Sequence, residues 1–189
     1  STFMTKFAGL SDSFTFADGQ YPVLKSWVGK SDKIWSGFAV NNLKGDGTQN
    51  SPYLISDGEG LAYAILNCGT GKYYKLTNDI YLNDINSVDW ETAKAKGDYV
   101  PSSWIEEVTF NGYFDGDGYI VYGIYYPEGN GKESATFRNA ALFPMINSNT
   151  HIKNVGVRYS HIEIFGHASG IVGFIKRNDT NKNIVIDSC

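Results

Sequence analysis

Apolar positions along this chain fall in short bursts, broken every few residues by glycine, asparagine or aspartate. Alternating aromatic and polar residues open it, with Phe3, Phe7, Phe14 and Phe16 followed by Tyr21-Pro22-Val23-Leu24. That period-two pattern predicts strands interrupted by turns. Asp18-Gly19 is placed to form a tight hairpin turn between Phe14–Phe16 and Tyr21–Leu24. Further on, Tyr53-Leu54-Ile55 reads as a short strand. Ser56 or Asp57 then supplies an oxygen that can accept from the first free amides of a helix. Leu61, Ala62, Ala64, Ile65 and Leu66 follow at helical spacing, and Gly69 ends the run. One helix is therefore predicted near 57–67, with Tyr74–Leu82 following as a strand. Residues 83–107 show no regular period, though WETAKAKG at 90–97 could make a turn or two of helix. So long an irregular stretch predicts a loop excursion from a regular scaffold, a common place for binding residues.

The last third repeats itself. Val121-Tyr122-Gly123-Ile124, Ile152-Lys153-Asn154-Val155 and Ile186-Asp187-Ser188-Cys189 share an apolar–x–small–apolar form, with first residues 31 and then 34 positions apart. A second pair, Ala141-Leu142-Phe143-Pro144-Met145-Ile146 and Gly170-Ile171-Val172-Gly173-Phe174-Ile175, lies between them. Each of this pair precedes a polar turn, SNT at 148–150 and RNDTNKN at 177–183. Strand chemistry at this period predicts a β-solenoid in which equivalent side chains stack from one coil to the next. On that alignment Val121, Ile152 and Ile186 would occupy one slot of a shared apolar column. A naked terminal coil exposes a strand edge, so the helix near 57–67 is expected to cap the first coil.

The segments GDGTQNSPYLIS, LAYAI, YYKLTNDIYL, FNGYFDGDGYIVYGI, ALFPMI with IKNVGV, and SGIVGFI with IVIDSC occur in order over residues 45–189. Together they resemble the GLUG-repeat proteins of bacterial cell surfaces. Phe143-Pro144-Met145 stands where that family usually has a second glycine, and Tyr122 where a polar residue is usual. The resemblance implies an all-β fold, a right-handed parallel β-helix with an N-terminal capping helix and a small N-terminal β segment. It also implies an adhesin-like or stalk role outside the cell, on a bacterial surface or secreted. The domain reading is a β segment over 1–45, the end of a preceding module, and a β-helix over 46–189 carrying the excursion 83–107. The chain stops where the family continues with more coils, which is expected of a monomeric fragment of a larger protein.

Composition supports the all-β reading. The 189 residues include 21 glycines, 13 tyrosines, 11 phenylalanines and 4 tryptophans, with 19% charged; glycine marks corners and aromatics favour pleated surfaces. Net charge is −4 with no basic stripe, so no nucleic-acid footprint is present. No apolar run approaches the roughly 20 residues of a membrane helix, and STFMTKFAGL lacks the regions of a signal peptide. Cys68 and Cys189 are too few for a disulfide scaffold and read as two small buried side chains.

Asp115-Gly116-Asp117-Gly118 offers two carboxylates, and the next glutamate is Glu128. A calcium loop needs about six oxygen ligands, so a corner fits better: Gly116 and Gly118 can take positive φ, and Asp115 can bond its own following amides. Asp46 in GDGT reads the same way. Gly69-Thr70-Gly71-Lys72 lacks the upstream glycine of a phosphate loop, and Tyr73 stands where the hydroxyl residue would be. Glu163, Asp179 and Asp187 show no stacked carboxylate partner of the kind glycosidases use, and His151, His161 and His167 read as polar corners. No catalytic residue, metal ligand or cofactor is assigned. Loop aromatics can stack on sugars or anchor protein partners. The binding candidates are Trp90, Tyr99 and Trp104 in the excursion and Tyr125-Tyr126 after the first repeat strand, with Trp27 and Trp35 behind them. The expected partner is a host surface or secreted protein, immunoglobulin among them, or a glycan. A plain stalk segment and a glycan-processing β-helix are the rival expectations.

Overall fold

The computed structural model describes residues 14–15, 23–24, 33–127, 137–176 and 183–189. Asp18-Gly19, Trp27, Glu128, Asp179 and most of the turn at 177–183 lie outside the described residues. The chain divides into two compact units, Ser1–Lys33 and Ile34–Cys189. Within the first, β1 (Phe14–Thr15) and β2 (Val23–Leu24) pair antiparallel, Phe14 opposite Leu24, as the hairpin pattern predicts. Residues 34–45 belong with the second unit. There Ile34 bridges to Tyr81 in parallel and Lys44 to Leu54 in antiparallel.

The second unit starts with β3 (Tyr53–Ile55), the helix Gly58–Leu66, β4 (Tyr73–Leu76) and β5 (Ile80–Tyr81). The excursion contains β6 (Val88–Asp89) and β7 (Lys94–Ala95), followed by β8 (Thr109–Phe110), β9 (Tyr113–Asp115), β10 (Ile120–Tyr122) and β11 (Tyr125–Tyr126). Then come β12 (Arg138–Ala140), β13 (Phe143–Asn147), β14 (His151–Lys153), β15 (Gly156–Arg158), β16 (His161–Ile162), β17 (Gly166–Ala168), β18 (Val172–Lys176) and β19 (Val185–Asp187). Among the described residues the fold is all-β with one short helix. Its sheets are small and, apart from the β6–β7 hairpin, parallel: β19-β14-β9-β4-β3, β15-β10-β5, β18-β13-β8, β11-β16 and β12-β17. Among the described residues no sheet closes on itself.

The helix begins where the sequence predicts. Asp57 is its N-cap and accepts from the Gly60 amide at 2.9 Å. Leu61, Ala62, Ala64 and Ile65 are fully buried, and the helix contacts β3 and β8. A Cβ on Gly58 would stand 2.4 Å from Trp35 Cβ, so only glycine admits that indole against the first turn. The core runs between the sheets. Phe110, Phe114 and Phe143 pack mutually, with ring centroids 4.9–6.2 Å apart, and Ile55, Leu76, Ile80, Val121, Ile146 and Ile152 complete it at 0% exposure.

Several expectations need correction. The predicted strand Tyr74–Leu82 is two strands, because the chain turns at 77–79 to pass from one sheet to another. Thr77 and Asn78 hold that corner by donating to the carbonyls of Ile55 and Ser56. Residues 90–97 form no helix. Val88–Asp89 and Lys94–Ala95 make an antiparallel hairpin there, and the Asp89 carboxylate accepts from the amides of Glu91 and Thr92 in its turn. Ile152 does pair with Ile186, and Phe143 with Val172, as the repeats predict. Val121, however, lies in another sheet, between Ile80 and Val157, and the partner of Ile152 on its other side is Phe114. The motif misled because it marks a corner, not a strand position. The residue just past the strand takes positive φ at Asn154 (55°) and Ser188 (53°), and equally at Gly123 (80°) and Tyr159 (51°), one corner further along. In both places an inward apolar residue follows, Val155 or Ile124. Cys68 is half-buried and Cys189 exposed, and both are free thiols. His151, His161 and His167 sit within β14, β16 and β17 rather than at corners.

Candidate functional site

The aromatic residues singled out by sequence do not converge. Trp104 is buried, packs edge-on to Trp35 at 4.8 Å, and donates its indole N–H to the Leu142 carbonyl. Tyr126 is fully buried, with its hydroxyl hydrogen shared between the carbonyls of Ile105 and Ala141. Burial pushes that phenol well above its ordinary pKa, so it stays a donor. Neither can reach a ligand; both hold the core, and Trp35 does the same. Tyr99 donates to Asn83 Oδ1 and accepts from the Asp84 amide. Trp90 donates to the Ile85 carbonyl, and Tyr125 approaches the Ala93 carbonyl at 3.5 Å. These three are half-buried, each tied to the excursion.

The excursion itself is a pinned loop. Buried Asn83 donates to the carbonyls of Ser102 and Gly123 and accepts from the Ser102 amide and the Tyr99 hydroxyl, at 2.7–3.0 Å. One amide thus satisfies four bonds and ties 83–102 to the corner after β10. This bond set positions the base of the excursion, while residues 91, 92 and 94–98 at its hairpin stay exposed.

The corner at 115–118 is also structural. Asp115 Oδ1 accepts from the Asp117 amide and from Asn154 Nδ2, while Oδ2 faces Lys153 Nζ at 3.1 Å. Desolvation pushes the Asp115 carboxyl upward, but those donors together outweigh it and hold the group below its ordinary value. Asp117 Oδ2 lies 3.1 Å from Lys75 Nζ. Asp117 and Gly118 carry the positive φ values, 51° and 83°, and Tyr119 N bonds back to the Gly116 carbonyl. That is the Asp-Gly pattern a type I′ turn requires. Gly116 does not take positive φ, contrary to expectation; it is needed because a Cβ there would stand 2.3 Å from the Asn154 carbonyl. Among the described residues no group of three or more histidines, cysteines or acids is placed to hold a metal. The late carboxylates are engaged singly: Glu163 with His161 at 3.3 Å, and Asp187 in register with Lys153.

What the fold does assemble is a groove of about 710 Å³ over the outer face of β4, β9 and β14. Strand alternation builds it. In YYK at 73–75, YFD at 113–115 and HIK at 151–153 the middle residue is buried and its neighbours point outward. Parallel register then stacks like on like. Tyr73 and Tyr113 lie face to face, 4.4 Å apart and 9° from parallel, and His151 meets Tyr113 edge-on at 4.8 Å. The second column is Lys75, Asp115, Lys153, alternating in charge. Gln49 and Pro52, from the loop before β3, line one end. That loop is braced by the Asp46 carboxylate, which the Thr48 hydroxyl and then the Thr48 amide hold below its ordinary pKa. Sequence reasoning passed over this site, although the signal was there: three triplets with an apolar centre and aromatic or charged flanks. Only register shows that they are neighbours.

A second outward stack, Tyr81 on Tyr122 at 4.8 Å and 6°, runs up β5 and β10 toward Tyr159. No helix among the described residues is long and apolar enough to cross a membrane. No family model matches this chain, and none of the curated proteins or solved structures compared with it is similar to it.

Proposed function

We propose that this chain is a non-enzymatic binding module of a GLUG-repeat-like bacterial surface or secreted protein, folded as a right-handed parallel β-helix. Its small parallel sheets recur in a fixed order, with strands pairing to equivalents one repeat away. That order is what a stack of coils produces. On this reading the helix Gly58–Leu66 caps one end. The observation that carries the binding role is the outward Tyr73–Tyr113–His151 column beside the open groove. The three side chains are half-buried, and outward aromatics of this kind are common at recognition surfaces. The partner on this reading is a host surface or secreted macromolecule, a protein such as immunoglobulin or a glycan. An unbiased screen of the chain against host proteins and glycan arrays tests it: at least one partner retained by the wild type and lost on Tyr113→Ala is expected. Retention of nothing would reject the reading.

A stalk is the second reading, favoured by the edge beyond β19 and β18. Ile186 and Ile175 continue the buried positions of Ile152 and Ile146, yet are 44% and 45% exposed. A further coil stacked there would bury them.

A further inference from the structure

Resting on that binding role, we infer that the groove over β4, β9 and β14 takes an uncharged polyhydroxylated chain, a neutral polysaccharide lying across the strands. The argument is one of exclusion followed by fit. Tyr73 and Tyr113 are stacked at 4.4 Å and nearly parallel, so the ring faces turned to each other are closed to a ligand. Cation capture uses a π face, and those two faces are closed to it. Anions fare no better. Each lysine in the groove already faces a carboxylate at 3.1 Å, Lys153 with Asp115 and Lys75 with Asp117. A phosphate or sulfate would have to displace a carboxylate to gain a lysine, and it would meet that carboxylate's repulsion.

The remaining polar side chains that line it are the Tyr73 and Tyr113 hydroxyls, the Gln49 amide and the His151 imidazole. Hydroxyls and amides that both donate and accept match sugar hydroxyls, which do the same. Parallel strands repeat every ~4.8 Å, so the phenols recur at that step and suit a ligand with regularly recurring hydroxyls. The groove is open to solvent, which admits a polymer from the side.

The test is affinity electrophoresis of the full chain through gels containing uncharged polysaccharides (glucans, galactans and mannans, each in turn). A gel containing dextran sulfate is run beside them, and each is repeated at low and high salt. Retardation by at least one neutral polymer, unchanged by salt, is expected. Tyr113→Ala should weaken it by about tenfold, the worth of one or two net hydrogen bonds and the associated contact, and Tyr113→Phe, which keeps the ring stack, should weaken it by less. Tyr159→Ala, outside the groove, should leave it unchanged, and thermal melting of each variant separates loss of binding from loss of fold. Retardation by dextran sulfate alone, or neutral retardation indifferent to both Tyr113 variants, overturns the inference. Protein ligands found in the host screen with no neutral polymer retained would sink this inference and leave the binding module standing; nothing retained in either experiment sinks both.

Discussion

The two ends of the long sheet treat the same kind of residue oppositely. At the β3–β4 end, Ile55 and Leu76 are 0% exposed, with the helix packed over β3 and Trp35 against its first turn. At the β19 end, Ile186 points the same way as its partner Ile152 but is 44% exposed. The side chains are equally apolar, so hydrophobicity does not decide burial here. In parallel sheets of this kind a side chain is covered by its neighbours on both flanking strands, and β19 has only one. The N-terminal end supplies its missing neighbour with a helix, and the other end supplies none among the described residues.

That contrast can be broken most sharply in the aromatic cluster next to the helix-covered end. Phe110→Ala removes a fully buried ring that touches Tyr74, Phe114 and Phe143. It should cost about 3–5 kcal/mol in chemical denaturation, with the cavity unrelieved by the surrounding strands. The next largest effect is expected at the pinned excursion. Asn83→Ala strands two carbonyls, an amide and a hydroxyl, and should cost about 2–3 kcal/mol. It should also raise hydrogen exchange at Ser102 and Tyr99 before it affects β9 or β14. Asp57→Ala at the helix cap should cost about 1 kcal/mol, read as a lower thermal midpoint. Ile186→Ala should fall below all of these, under about 1 kcal/mol, because little water is excluded by that side chain now. A loss at Ile186 equal to that of Ile152→Ala would mean the β19 end is covered in solution.

A pH experiment sharpens the same comparison at the corner the two ends share. Asp115 is held below its ordinary pKa in the folded state. A depressed carboxylate contributes stability above its unfolded pKa, and that contribution is lost as pH falls through the folded one. Stability should therefore drop on acidification below the usual aspartate range, and Asp115→Asn should flatten part of that drop. An unchanged acid limb in the variant would show that the Asn154 and Lys153 contacts add nothing in solution.

The helix was readable residue by residue, since Asp57 and the Leu61–Ile65 face are local signals. The strand Tyr53–Ile55 was equally plain, and so was the Ile152–Ile186 repeat. The placement of Val121 was not, because a corner residue with positive φ looks the same wherever the chain turns. Trp104 and Tyr126 looked like loop aromatics, yet their polar atoms find the buried carbonyls of Leu142 and Ala141 in the bend between β12 and β13.

By itself, then, the order of residues determined which short segments are extended, where one helix starts, and which turns close on Asx and glycine chemistry, because those preferences are settled within a few residues. Tertiary structure alone decided which outward side chains become neighbours. Tyr73, Tyr113 and His151 are forty or so positions apart in sequence, and only parallel register, set by the pairing of Tyr74 with Phe114 and of Phe114 with Ile152, brings them into one column.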